Sequence, residues 1–476
     1  KEVIENPYFT TRDEQENHYI INKGKSEVLK VSKENRIMSR LSWDNHEADC
    51  FGEADEVAVD RKGNIYVLDV IWNDTGLGLA MERVLRYTPD GKFARVVFEK
   101  DYSKTMITKR HLFSLVRIGD EIHFAEVHPD GKGFSTYILK SGRNKAEKSV
   151  EFDWDSAIEI QDFALDKKLG YFVIKNGTIY SFDSAKIRVA YQVADRQYML
   201  PYSLSCQNGV LNFSDICNQA VYQLDGSRAK LLYGKEDFEK ITSGQLGQDI
   251  LETINVTGEG KEQILSVTWN NRVTEIGMNR SQDVSPSSEM NYTRTSVLLL
   301  GLRYFCLGIA SVIAAYYLAV LVKYLIVSGI FIQKKFTIFM ILGVSVSAMV
   351  VMMSMLQRFK ENYVQEQISS MCTVTQIASE IMDVSALKHV TYPSDYGSED
   401  YRKLQECMND LIDVTSEYSE NLYCNIVKVS GDRAYALAYL DNSVGGYFPL
   451  DEGEAAEAKK VYRTVKKLIN DGKQDA

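Results

Sequence analysis

The sequence predicts a multidomain chain: an all-β propeller of about six blades, a hairpin of two transmembrane helices, and then a partial α/β domain. Three observations predict it. Short β-rich runs separated by Gly, Asn and Asp turns recur through residues 1–280. Two uncharged stretches follow, Tyr304 to Val322 (YFCLGIASVIAAYYLAVLV) and Phe336 to Leu356 (FTIFMILGVSVSAMVVMMSML). Beyond them, residues 357–476 alternate helical and strand patterns.

The β-rich part has a repeat. One unit reads EVAVDRKGNIYVLD and then RVLRYTPDGKFARVVFE, and later units begin near residues 114, 162, 202 and 249 after the first near 56. A spacing of roughly 40 to 60 residues fits a propeller blade of four strands. Within a unit an apolar strand meets a turn such as Lys62-Gly63-Asn64, whose glycine and asparagine tolerate positive φ. INKGKSEVLKVSK near the N-terminus carries no complete unit, so it is expected to lend outer strands to the last one and close the ring. A pair of β-sandwiches is the alternative architecture. The first copy, VAVDRKGNIYVLD with VLRYTPDGKF, resembles an NHL-type blade.

Residues 281–295 are polar with a Ser-Pro-Ser-Ser core and read as a linker to the 296–356 hairpin. A bilayer core takes about 20 apolar helical residues to cross, and a helix satisfies its own backbone there. Each uncharged stretch therefore reads as a span rather than as a buried helix of a large soluble fold. The connector KYLIVSGIFIQKK holds Lys323, Lys334 and Lys335 and no acid, which places it in the cytoplasm and both flanks outside. Arg294, Arg303, Arg358 and Lys360 on the other side weaken that count.

Past the second span, Val364, Ile368, Met371, Val374, Ile377 and Ile381 keep helical spacing, so a stiff helix continues outward. SEDYRKLQECMNDLIDVTSE predicts a second helix opened at Ser398, with Leu404, Met408, Leu411 and Ile412 as its apolar stripe. NLYCNIVKVSGDRAYALAYLDNS predicts two strands, and EAAEAKKVYRTVKKLIN a last helix. This element order, with Tyr401, Leu404, Tyr423 and Asp441, resembles the opening half of an extracytoplasmic Cache sensor domain. The resemblance implies a PAS-like antiparallel sheet behind a long N-terminal helix, as in bacterial chemoreceptors, histidine kinases, cyclases and phosphatases. It covers 357–476; the later strands and the helix returning to the membrane are not in the sequence, so no ligand contacts carry over. Tyr435 and Tyr439 share a strand face with Asp441 just beyond, a pocket wall or ordinary core.

Chemistry-bearing patterns are sparse. The 65 acidic and 55 basic residues give a net charge of −10, which disfavours nucleic acid as a partner. His123, Glu126 and His128 in HFAEVH are close in sequence, but alternation puts His123 opposite the other two. His46, Glu47, Asp49 and Cys50 read as a polar loop; Asp60 and Asp90 sit in turns without EF-hand spacing. GKS at Gly24 to Ser26 lacks the upstream glycine of a P-loop, and neither GxSxG nor HExxH occurs. No catalytic residue, metal or cofactor is therefore assigned. None of the seven cysteines forms a CxxC; Cys206 with Cys217, and Cys407 with Cys424, are candidate disulfides against a reading as free thiols.

The expected function is the sensory part of a bacterial transmembrane receptor. It is multi-pass in the cell membrane, with propeller and Cache-like domain outside, and binds a small molecule or surface protein. Membrane lipid surrounds the spans, and the emergent helix offers a homodimer contact. Two alternatives are a surface-interaction protein and a membrane-anchored cyclase or PPM-type phosphatase with its catalytic domain beyond Ala476. The start at Lys1 and the stop at Ala476 read as those of a fragment.

Overall fold

The structure, a computed structural model, describes residues 2–42, 52–242, 249–278, 289–290, 301–313, 332–415, 425–439, 448–449 and 452–470, with short interruptions inside these ranges. Residues 43–51, which hold His46, Glu47, Asp49 and Cys50, lie outside it, as do Cys424, Asp441, most of the 281–295 linker and most of the hairpin connector.

Residues 7–277 form six antiparallel blades. Their inner strands are Pro7–Arg12, Glu53–Val59, Leu112–Ile118, Ile160–Leu165, Pro201–Gln207 and Leu251–Thr257. These neighbour one another in turn, and the sixth lies beside the first, so the ring is closed. Blades 1 to 5 have four strands each; blade 6 has three among the described residues.

The N-terminal stretch corrects the expectation for closure. Among the described residues, positions 21–33 pair with no strand of the last unit; they belong to a complete blade 1, with strands Pro7–Arg12, His18–Asn22, Glu27–Val31 and Ile37–Ser42, and only Glu2–Val3 pairs beyond it, with Glu289–Met290. The first turn of blade 1 matches that of blade 2 atom for atom. Asp13 accepts the Gln15 and Asn17 N–H groups, the Asn17 amide and the Tyr19 hydroxyl. Asp60 accepts the Lys62 and Asn64 N–H groups, the Asn64 amide and the Tyr66 hydroxyl.

A separate apolar cluster fills each boundary between blades. Blades 1 and 2 share Tyr19, Val57 and Leu85; blades 2 and 3 share Leu68, Val84 and Phe124. Blades 3 and 4 share Phe134, Phe163 and Phe172; blades 4 and 5 share Ile179 and Phe213. Blades 5 and 6 share Val221 and Trp269, and Ile20 with Val273 joins blade 1 to blade 6. Alternation explains this: each strand of a blade presents one side chain in two to each neighbouring blade. The helix Lys235–Ile241 plugs the fifth boundary, with Phe238 fully buried and edge-on to Trp269 at 5.1 Å.

Side chains near the axis also bond to the next inner strand, because backbone groups buried there need partners. Glu56 accepts the N–H groups of Ser114 (3.0 Å) and Leu115 (2.6 Å), and Ser114 Oγ accepts that of Leu165 (2.6 Å). Asp162 accepts the Leu204 N–H (2.6 Å), while Ser203 and Ser205 accept those of Ile254 (3.2 Å) and Val256 (2.8 Å). Thr268 Oγ1 and Asn255 Nδ2 donate to the Tyr8 and Thr10 carbonyls, both at 2.9 Å, across the closure. At the same seam His18 Nδ1 lies 3.0 Å from Glu275 Oε1, and Arg12 bonds to the other oxygen.

After the propeller, residues 301–313 are helical. A helix of 50 residues runs from Ile332 to Ile381 and so carries the uncharged stretch 336–356 without a break into 357–381. Among the described residues no helix is long and apolar enough to cross a membrane; several side chains within 336–356 lie outside the description.

The C-terminal elements follow the sequence pattern. Helix Val384–His389 is capped by Asp383, which accepts the Ser385 and Ala386 N–H groups. Helix Glu399–Thr415 opens on Ser398, whose Oγ accepts the Tyr401 N–H, and buries Tyr401, Leu404, Met408 and Leu411. Asn425–Ser430, Arg433–Tyr439 and Phe448–Pro449 form an antiparallel sheet, with helix Glu452–Asn470 against its first two strands.

Candidate functional site

The inner strands of all six blades line a cavity of about 1190 Å³ along the propeller axis. Its walls carry charged side chains at both ends, and one group of them lies where the inner strands begin. Glu53, Asp55 and Glu56 open the inner strand of blade 2, Arg110 precedes that of blade 3, and Asp162 lies near the start of that of blade 4.

Two cations tie this cluster together. Lys23 Nζ lies 2.8 Å from Glu53 Oε1 and 3.3 Å from Asp55 Oδ1, with the Tyr8 ring 3.5 Å away. The Trp72 indole donates to Glu53 at 3.0 Å. Arg110 bonds to Asp55, sits 3.7 Å from both Glu56 Oε1 and Asp162 Oδ1, and lies over the Phe113 ring at 4.3 Å. An ammonium or guanidinium over an aromatic face gains from the ring quadrupole.

Burial sets the protonation of the acids. It pushes Glu56 up to about 8, helped by the Asp162 charge and opposed by the two N–H groups that Glu56 accepts. Burial also raises Asp162, against Arg110. Glu252, in the inner strand of blade 6 and partly buried, is pushed up to about 7, with Lys23 opposing. Glu53 goes the other way: burial would raise it, but the charge and hydrogen bond of Lys23 outweigh that and hold it low. Glu252 is near enough to Tyr8 and Tyr202 for its charge to act on both.

At the far end of the channel Glu14 of blade 1 pairs with Arg61 of blade 2 (3.2 Å) and Arg117 of blade 3 (2.8 Å). Cys206 Sγ is 3.7 Å from Asp166 Oδ2 there, and burial raises its thiol pKa, so it is no poised nucleophile.

The residues singled out from the sequence lie elsewhere. Tyr435 is buried in the C-terminal sheet, paired in register with Lys428 and Pro449, which places it in core. Tyr439 ends the same strand, and Asp441 lies outside the described residues. Glu126 accepts the Tyr137 hydroxyl (2.8 Å) and pairs with Lys100 (2.6 Å); His123 is nearest Glu121, and His128 bonds Ser135 (3.0 Å). Both Asp60 oxygens are spent within their turn, and Asp90 accepts the Thr88 hydroxyl in its own. Gly24 lies in the short turn Lys23–Lys25. Among the described residues no group of three or more His, Cys, Asp or Glu side chains is placed to hold a metal ion.

The hairpin expected around Asn208-Gly209 is present, but its register sets Cys206 opposite Leu211, while Cys217 lies past Asp215 at the other end. Cys206 carries a free thiol. Cys407 lies on the helix Glu399–Thr415, and its candidate partner Cys424 is outside the described residues.

The channel cluster itself went unnoticed in the sequence. Its signal is the acids of GEADEV and QDFAL at inner-strand positions where a propeller core would place apolar side chains.

No family model matches the chain, and no curated protein matches it. Solved structures do. Virginiamycin B lyase from Staphylococcus aureus shares 12% identity over 57% of this chain and 83% of its own, with a TM-score of 0.34. A Bacteroides thetaiotaomicron protein of unknown function shares 11% over 57% and 69%, with a TM-score of 0.40. The extracellular domain of a hybrid two-component system, also from B. thetaiotaomicron, shares 11% over 57% of this chain and 38% of its own, with a TM-score of 0.33. At these scores the likeness says nothing about activity, and the six-bladed propeller rests on the strand pairing of this chain.

Proposed function

We propose that the chain is the sensory part of a transmembrane signalling receptor. The propeller binds a ligand outside the cell, the two uncharged stretches cross the membrane as a hairpin, and the C-terminal α/β segment is the start of a Cache-like sensor. The observation that carries this reading is the 50-residue helix Ile332–Ile381, one rigid element joining the uncharged stretch to the segment that leads into the α/β elements. A helix of that kind can pass on a change of pose, provided the ligand binds one pose more tightly than the other. The buried mixed-charge channel supports a binding role for the propeller, since charged groups held out of water are costly unless a site uses them.

Cysteine-accessibility labelling of intact cells tests the arrangement. Probe cysteines at Asn176 and Asp441 are expected to react with an impermeant reagent, and one at Ser328 is expected to be shielded. Labelling at 328 with none at 176 would reverse the topology, and recovery of the chain without membranes would end the receptor reading.

A further inference from the structure

One aromatic contact joins the propeller to the C-terminal elements. The Tyr198 and Tyr392 rings lie with centroids 4.8 Å apart and planes tilted by 56°, within the range in which aromatic pairs attract. Tyr198 belongs to the connector between blades 4 and 5, and Tyr392 to that between helices Val384–His389 and Glu399–Thr415. Each ring stands on braced backbone. Asn218 donates its amide to the Tyr198 carbonyl at 2.7 Å and to Asp215 Oδ2 at 2.5 Å, and Asp215 accepts the Leu200 N–H at 2.9 Å. Met199 and Leu200, next along the chain, are buried in the propeller. On the other side Asp395 accepts the Thr391 and Tyr392 N–H groups at 2.8 and 2.7 Å. Lys428, from the strand Asn425–Ser430, donates to the Thr391 carbonyl at 3.2 Å, and Pro393 in the same turn is buried. Loops held this way lose little freedom when they dock. A second observation is independent of the rings. Residues 383–409 and 423–476 group with the propeller in one compact unit, while 292–382 and 410–422 form another.

We propose that the turn 391–395 is a docking surface for the rim of blade 5, so that the propeller and the C-terminal α/β elements act as one folded unit. The partner of each surface is the other flank of the same chain. The inference rests on the part of the receptor reading that puts both flanks on one side of the membrane. It goes beyond that reading by giving the propeller a route to the C-terminal sheet that does not pass through the helix Ile332–Ile381: Tyr198 bears on Tyr392, and Lys428 ties that turn to the sheet. Coupling of this kind is reciprocal, so loosening either ring loosens the segment that carries the other.

Photocrosslinking of the full chain in membranes tests this, with p-benzoylphenylalanine in place of Tyr198. The benzophenone is expected to link to the tryptic peptide 389–402, which carries Tyr392. The same probe at Val189, exposed on the outer strand of blade 4, is expected to give no such link. Mixing chains labelled with light and heavy nitrogen separates a contact within one chain from one between copies. No link to 389–402, or a link only between a light and a heavy peptide, would overturn the proposal. Hydrogen exchange gives the reciprocal readout. Tyr198 is 38% exposed, so removing its ring leaves the propeller core intact. In Tyr198→Ala, exchange at Thr391 and Tyr392 should quicken roughly two- to tenfold, as expected on losing an aromatic pair. In Tyr392→Ala, exchange at 197–200 should quicken by a similar factor. Unchanged protection in both variants would also overturn the proposal. The labelling experiment reads the topology separately. Both flanks on one side without a link removes this contact alone, and a link with the hairpin loop outside removes the receptor topology alone.

Discussion

Glu56 in blade 2 accepts the backbone N–H of Leu115 in blade 3 at 2.6 Å, and its other oxygen takes the neighbouring Ser114 N–H at 3.0 Å. The inner strand of blade 3 is irregular here: its register slips between Phe113 and Val116, and Ser114 has φ of 60°. Glu56 thus supplies the partners that the broken ladder withholds. Glu56→Ala strands two buried N–H groups and is expected to cost about 2–4 kcal/mol. Glu56→Gln keeps one acceptor oxygen and should cost less than half of that. Urea unfolding of the three proteins checks the order, and equal stability for Glu56→Ala and the parent would show that water replaces the carboxylate.

The buried acids also set a pH dependence. Burial pushes Glu56 up to about 8, Glu82 and Glu252 to about 7, and Asp69 and Asp215 to about 6. A folded-state pKa above the unfolded value means the native state holds its proton more tightly. The stability each group contributes is therefore complete below its unfolded pKa and is lost as pH rises through its folded one. Glu275 has the opposite sign: held low by His18 and Arg12 against its burial, it loses its contribution only as pH falls through its own folded pKa. Tm is expected to peak near pH 5 and to fall steadily from pH 5.5 to 8.5. Glu56→Gln should flatten the upper part of that slope. A Tm that rises from pH 5.5 to 8.5 would contradict the assignment.

Gly170 faces Phe163 across the first hairpin of blade 4. A Cβ there would meet Phe163 Cε1 at 2.7 Å and the ring tip closer still. The ring cannot swing away, because Phe134 lies 5.1 Å from it on one side and Phe172 6.2 Å on another. Gly170→Ala is expected to cost about 1–3 kcal/mol by overpacking. Pairing it with Phe163→Leu should restore part of the loss in a double-mutant cycle, and strict additivity would mean that the strain lies elsewhere.

Cys206 pairs in register with Leu211, and Cys217 sits six positions further along the chain. At strand rise that is roughly 20 Å, against about 4–7 Å between the Cα atoms of a disulfide. Protein prepared under oxidising conditions should show the same Tm with and without reductant, and mapping should find no peptide linking 206 to 217. A linked peptide would mean that this hairpin has a different register in solution.

The blades were legible because turn chemistry is local. DRKGNIY announces its turn through an aspartate, an asparagine and a tyrosine that bond to one another within seven residues. The same aspartate, asparagine and tyrosine spacing stands in DEQENHY at Asp13, and reading it would have revealed blade 1 as a complete unit. The channel was not legible, because its pairs are distant in sequence: Lys23 meets Asp55, and Arg110 meets Asp162. No spacing rule connects residues that only ring closure brings together. The C-terminal helices and strands were legible from periodicity, whereas Tyr435 turned out to be core for a reason periodicity cannot give, since a strand face may line a pocket or a neighbour equally well.

Ring closure rests on a seam with one shared carboxylate. Glu275 of blade 6 is fully buried between His18 and Arg12 of blade 1, and Ser266 lies 3.3 Å from the same oxygen that faces His18. Outside the blades only a short pairing of Glu2–Val3 with Glu289–Met290 links the two ends of the propeller among the described residues; within them the seam depends on this group, on the Tyr8 and Thr10 carbonyl bonds, and on the small cluster of Ile20 and Val273. Removing the carboxylate leaves a buried guanidinium uncompensated, which ordinarily costs about 3–5 kcal/mol. Because the loss is local, it should appear as opening of the seam before global unfolding. In Glu275→Ala, hydrogen exchange is expected to speed up in Pro7–Arg12, His18–Asn22 and Leu251–Thr257 while Leu112–Ile118, on the opposite side of the ring, keeps its protection. Uniform acceleration in all six blades would mean that the ring opens as one unit and that the seam is not its weak point.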